Sequence, residues 1–224
     1  YLIMHSKAKS ILFLLGVIFF GCNSISENEK IIFISEKDGN PEIYSMEING
    51  SEIQRITNSS RSEENPKLSK DGNYLGFLIS KNEIKELHII EIGNNNKQSK
   101  ISNKDLDVED FFWSPNSRKL TFKAKDSQGN HDIYLYNLEK ESTNKVTNTR
   151  GIEKLGNWSP DGEWIVYSVV LGDEDKVGIF KKNPDGVDEV RLTENFEDHN
   201  PMWSPDGEKI AFLSTRGSDD LDIY

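Results

Sequence analysis

The sequence predicts an all-β fold of repeated four-stranded sheets, a β-propeller, from three sets of markers that share one interval. Trp113-Ser114-Pro115, Trp158-Ser159-Pro160 and Trp203-Ser204-Pro205 recur every 45 residues, and one step back from Trp113 lies a degenerate copy, Leu68-Ser69-Lys70-Asp71-Gly72. Arg55-Ile56-Thr57, Lys100-Ile101-Ser102 and Lys145-Val146-Thr147 keep the interval of 45, and Arg191-Leu192-Thr193 follows at 46. Ile43-Tyr44, Ile133-Tyr134 and Ile223-Tyr224 stand 90 apart, with His88-Ile89 midway between the first two. Ile179-Phe180 is one residue late, so a residue is gained after Trp158 and lost again between Thr193 and Trp203. A fixed period of this length marks a repeat architecture.

Each part of the period reads as β-structure. Ser159-Pro160-Asp161-Gly162 and Ser204-Pro205-Asp206-Gly207 have the order of a type I turn: serine bonds the backbone, proline presets φ, and glycine tolerates the exit. Ser114-Pro115-Asn116-Ser117 lacks the glycine and is expected to form a looser turn. The runs after the turn alternate: Leu75 and Phe77, Leu120 and Phe122, Ile165 and Tyr167, Ile210 and Phe212. Period-two alternation describes strands with one face against a layer. Glycine-rich hairpins follow, as in Asp38-Gly39-Asn40 and Gln128-Gly129-Asn130, leading to the Ile-Tyr strand. A further turn leads to the Arg-Leu-Thr strand, and a last segment such as Asp198-His199-Asn200-Pro201-Met202 returns to tryptophan. Four strands per 45 residues, with no helical period after the N-terminal segment, is the arithmetic of a propeller blade.

The Trp-Ser-Pro-Asp-Gly, Ile-Tyr and Arg-Leu-Thr markers resemble the WD-like repeats of the TolB-like propeller family over roughly residues 28–224. The resemblance implies that the tryptophan strand is the innermost of each blade. The first blade, entered at Ile31-Ile32-Phe33, then lacks its inner strand, and the fifth stops at Tyr224 in its third. The expectation is about four and a half blades in an incomplete, open ring over residues 31–224. The family's namesake carries an α/β domain ahead of its propeller. Here Asn23 to Lys30 form a short linker, so a relative other than the namesake is expected. Blades of this kind serve many unrelated activities, so the fold alone assigns none.

Residues 1–22 read as a signal peptide. Ile11 to Phe20 hold ten side chains without polarity, behind His5, Lys7 and Lys9. Ten helical residues span about 15 Å, too short for a membrane and right for an export signal. Gly21-Cys22 then resembles a bacterial lipobox, which implies that Cys22 is the lipid attachment site. Phe19 and Phe20 depart from the leucine and small residue usual there. Cys22 is the only cysteine, so no disulfide forms within the chain. Tyr1 precedes Met4, which reads as the initiator.

Net charge is −11, and the residues after Cys22 carry 25 basic against 38 acidic side chains. Such a surface repels phosphate backbones, which argues against nucleic acid as a partner. No nucleophile elbow, zinc-protease helix, phosphate loop or dinucleotide fingerprint occurs. His88 falls on a strand position, His131 beside a hairpin, and His199 just ahead of an inner strand, the one place suited to a channel ligand. In the related oligogalacturonate lyases propeller histidines hold metal, but a single candidate makes no site. Asp173-Glu174-Asp175 and Asp219-Asp220 read as solvated hairpin tips, while Glu42, Asp132 and Asp222 precede Ile-Tyr pairs and belong to the repeat. Trp113, Trp158 and Trp203 keep strict period, which reads as filling between blades; Trp164, off the period, is expected to be the exposed one. No catalytic, cofactor or metal residue is assigned. The function expected is an envelope-anchored scaffold for protein or peptide partners, held to the membrane through an N-terminal lipid. The alternatives are the front of a prolyl oligopeptidase-type serine peptidase, or a glycan-binding or lyase-type propeller.

Overall fold

The computed structural model describes residues 30–224 except 95, 104, 150, 171–176, 196 and 218–219. Cys22, the signal segment, Asp173, Glu174, Asp175 and Asp219 lie outside the described residues. The chain divides into two units, residues 1–66 and 67–224.

In the first unit β1 (Lys30–Ser35), β2 (Glu42–Glu47) and β3 (Gln54–Arg55) form an antiparallel sheet in that order. β4 (Glu63–Leu68) spans the division between the units. In the second unit β5 (Tyr74–Lys81), β6 (Ile84–Glu91) and β7 (Lys97–Lys100) are sheet neighbours in sequence order. β8 (Asp107–Trp113), β9 (Lys119–Lys125), β10 (His131–Asn137) and β11 (Ser142–Lys145) repeat the pattern. So do β12 (Ile152–Trp158), β13 (Ile165–Val170), β14 (Gly178–Lys182) and β15 (Glu189–Arg191). One parallel bridge, His131 with Ile152, joins these two sheets. The last sheet holds β16 (His199–Trp203), β17 (Ile210–Ser214) and β18 (Asp222–Ile223). The fold is thus an all-β propeller: 18 strands among the described residues, at four per blade, are four and a half blades.

One cross-strand pair explains why the second and third strands of every blade find the same register. Phe33 faces Tyr44, Phe122 faces Tyr134 and Tyr167 faces Phe180, with ring centroids 5.3–5.7 Å apart and nearly parallel planes. Phe212 and Tyr224 exchange backbone hydrogen bonds and stack at 6.0 Å. In β6 the column is occupied by His88, 6.0 Å from Phe77, so this histidine replaces an aromatic core partner. Such pairs contribute about 0.5–1.5 kcal/mol each beyond area burial. The residue gained after Trp158 falls between Tyr167, in phase, and Phe180, one late, and the unbroken register of β13 with β14 puts it in the connection between them.

The turns depart from expectation at one place. Gly72, Gly162 and Gly207 leave their turns with φ of 74°, 76° and 75°, and Ser117 takes the same left-handed conformation at 60°. Its amide reaches Ser114 O at 2.9 Å, as Gly162 reaches Ser159 O, so this turn is as tight as the glycine copies. The compensation is a hydrogen bond from the Asp71 amide to the buried Ser117 hydroxyl at 3.1 Å.

Candidate binding face

The tryptophan strands β8, β12 and β16 each carry one residue more than the strands they pair with. Val108 and Asp110 face Ala124 and Lys123, Leu155 and Trp158 face Tyr167 and Ile165, and His199 and Met202 face Leu213 and Ala211. Three bulges in three consecutive blades break the alternation of side chains and turn adjacent residues to the same side. Val108, Phe111, Glu153, Gly156, Trp158, Asp198 and Pro201 are buried, whereas Glu109, Asn200 and Met202 are exposed and Lys154, Leu155, Asn157 and His199 half-buried. Asn200, with φ of 52°, supplies the left-handed position of the β16 bulge, a conformation asparagine tolerates better than most residues.

β8 packs against β12, and β12 against β16. The tryptophans act at these contacts. Trp113 Nε1 donates to Lys67 O at 2.9 Å and Trp158 Nε1 donates to Phe112 O at 3.3 Å, each 46 residues back along the chain. Each indole therefore ties its blade to the innermost strand of the blade before it. At β16 the bond is replaced: the Asn157 amide donates to Trp203 O at 3.2 Å and accepts from the Trp203 amide at 2.6 Å. Lys67 adds another link, donating to Asp110 Oδ1 and Phe111 O at 2.7 Å with its ammonium 4.1 Å from the Phe112 ring centroid. Trp158 is 4% exposed; Trp113 and Trp203 are half-buried. Trp164 is half-buried as well, under the Lys181 ammonium at 4.6 Å.

The histidines hold structural positions. His88 lies between Glu86 and Gln98, at 3.4 and 3.1 Å. His131 begins β10, with Nδ1 2.5 Å from the Glu109 carboxylate that also takes Lys123. His199 Nδ1 donates to Glu197 O at 2.8 Å. Among the described residues no three His, Cys, Asp or Glu side chains gather as a metal site.

The acids ahead of the Ile-Tyr pairs are fully buried in two blades, and each has its cation: Glu42 with Arg55 at 2.6 Å and Asp132 with Lys145 at 2.6 Å. A second acid, five residues before the tryptophan position, was not singled out from sequence: Glu63, Glu153 and Asp198, all buried. Their spacing of 90 and 45 residues was the available signal.

The comparisons agree with this architecture. Residues 66–223 match the model of the TolB beta propeller domain. A TolB homolog of Chlorobium chlorochromatii is 31% identical over 140 residues, covering 62% of this chain and 30% of its own length. The Tol-Pal system protein TolB of Francisella tularensis is 26% identical over 202 residues, covering 88% and 46%. The chain thus spans less than half of either relative. Among solved structures, TolB from Acinetobacter baumannii superposes with a TM-score of 0.64 at 17% identity, over 87% of this chain and 49% of its own. An oligogalacturonate lyase from Vibrio parahaemolyticus gives 0.68 at 16%, over 87% and 58%. At such identities these two share the fold alone. With the family model covering more than half of its residues, the chain belongs to the TolB beta propeller domain family.

Proposed function

We propose that this chain is an exported, lipid-anchored propeller whose tryptophan strands present a binding face to another protein or an extended peptide. The observation that carries the reading is the division of labour along β8, β12 and β16. Residues at the repeating positions bind blade to blade, while the bulges leave Glu109, Lys154, Asn200 and Met202 on the open side. These exposed or half-buried residues differ from one another in charge and size, as suits a face that recognises a partner rather than a repeated packing contact. The relative named as a Tol-Pal system protein supports a role as one component of a protein system. For the anchor, Cys22 directly behind ten apolar residues supports lipidation after export, with residues 1–22 as signal, 23–30 as linker and 31–224 as the propeller.

The test uses the full-length protein expressed in a bacterium with a photoreactive residue at position 202. A fatty-acid analogue should label the protein and a discrete partner should cross-link in the membrane fraction. Cys22→Ser should abolish the label and release the protein from the membrane. Equal labelling of both proteins would remove the anchor from this reading, and absence of any discrete adduct would remove the binding face.

A further inference from the structure

We propose that two buried carboxyl pairs, Glu42 with Glu63 and Asp132 with Glu153, each hold one proton between them, and that its loss loosens the segment leading into the next tryptophan-type strand. The pairs occupy the same two repeat positions, 90 residues apart. All four side chains are between 0 and 1% exposed.

In the first unit Glu42 Oε1 takes hydrogen bonds from Arg55 Nη2 at 2.6 Å and the Ser59 amide at 2.9 Å, the environment of a carboxylate. Glu63 Oε1 accepts from the Ser59 hydroxyl at 2.6 Å. The two remaining oxygens, Glu42 Oε2 and Glu63 Oε2, are buried and take nothing from an N–H or hydroxyl. A proton on Glu63 Oε2, donated to Glu42, satisfies both. Burial opposes charge on Glu42, but the bonds from the Ser59 amide and the Arg55 guanidinium hold its carboxyl below the ordinary range. Burial together with the Glu42 charge pushes Glu63 up to about 7 against the Ser59 hydroxyl.

In the second unit Thr147 Oγ1 accepts from the Ile133 amide at 2.8 Å and donates to Glu153 Oε2. Glu153 Oε1 and Asp132 Oδ1 are again buried without a donor. Burial pushes Glu153 up to about 7, opposed by Thr147 and Thr149 and reinforced by the Asp132 charge. The titratable groups around it are Asp132 and Tyr134 of β10, Lys145 of β11 and Tyr167 of β13. Around Glu63 they are Glu42 of β2 and Arg55 of β3, with Asp38 behind Arg55 at 3.4 Å. Each site has one cation, which balances one carboxylate.

The other two positions lack the pair. At one, Leu87 and Val108 replace both acids; at the other, Gly178 replaces the first and Asp198 pairs with Arg216 instead. Among the described residues only the segments 56–62 and 146–149 are therefore proton-held. The folded chain binds these protons more tightly than an unfolded one, whose glutamates titrate near 4.5. The stabilisation is complete below about pH 4.5 and is lost as pH rises through about 7.

The experiment follows amide hydrogen exchange of the full-length protein from pH 5 to 8, corrected for intrinsic rates, in wild type, Glu63→Gln and Glu153→Gln. Protection of residues 56–63 and 146–153 should fall at least about tenfold across neutrality in wild type. Each glutamine variant should hold protection constant in its own segment alone, because the amide donates as the acid does. Loss of protection in both variants identical to that in wild type would overturn the proposal. Should a variant fail to fold, infrared difference spectra of wild type decide. A protonated-acid carbonyl band that disappears with a midpoint near pH 7 supports the pairs, and its absence at pH 6 refutes them.

Discussion

Trp158 shows how much one position carries. Its ring is 4% exposed, and its indole N–H spans from one blade to the Phe112 carbonyl of the blade before. Trp158→Ala removes both packing and bond and should cost about 3–5 kcal/mol. Trp158→Phe keeps most of the packing and should lose about 1 kcal/mol more than its area predicts, for the bond. Urea unfolding of both variants measures the split. The period of 45 made the position legible; the bond was not, because its acceptor is a main-chain carbonyl that leaves no trace in side-chain pattern. Ser117 is the converse case. The missing glycine suggested a loose turn, and a hydroxyl bond to the preceding blade, invisible in one repeat read alone, keeps it tight.

At the scale of the element, the inner strands differ from the rest through their bulges. The added residue in β8, β12 and β16 sits inside a period that stays at 45, so the spacing of markers could not betray it. The strands themselves were legible, since alternation of Leu120 with Phe122 or Ile165 with Tyr167 depends only on which face is buried. Between β12 and β16 the backbones approach so closely that a Cβ on Gly156 would lie 2.1 Å from Pro201 O and 2.8 Å from Val166 Cγ1. Neither neighbour is a flexible chain end. Gly156→Ala should therefore cost about 1–3 kcal/mol or more by overpacking, read as a lowered thermal midpoint.

Across the whole chain, repetition separates two kinds of residue. Where a side chain recurs at the blade interval, it packs or pairs: the aromatic columns, the indole ties, the buried acids with their cations. Among the inner-strand residues that vary, Glu109, Lys154 and Asn200 are exposed or half-buried, although Lys123 and His131 hold the Glu109 carboxylate and the varying Asn157 ties β12 to Trp203. The fold was legible because repetition amplifies weak signals; the proposed binding face was not, because variation between blades has no pattern to detect. The direct measurement compares Lys154→Glu, Met202→Glu and Trp158→Ala in the full-length protein, scoring cross-linking of the partner by a soluble bifunctional reagent together with the urea midpoint. The two inner-face variants should keep the wild-type midpoint and lose the cross-link, while Trp158→Ala loses the midpoint. Inner-face variants that cross-link as wild type does would contradict a binding role for these strands.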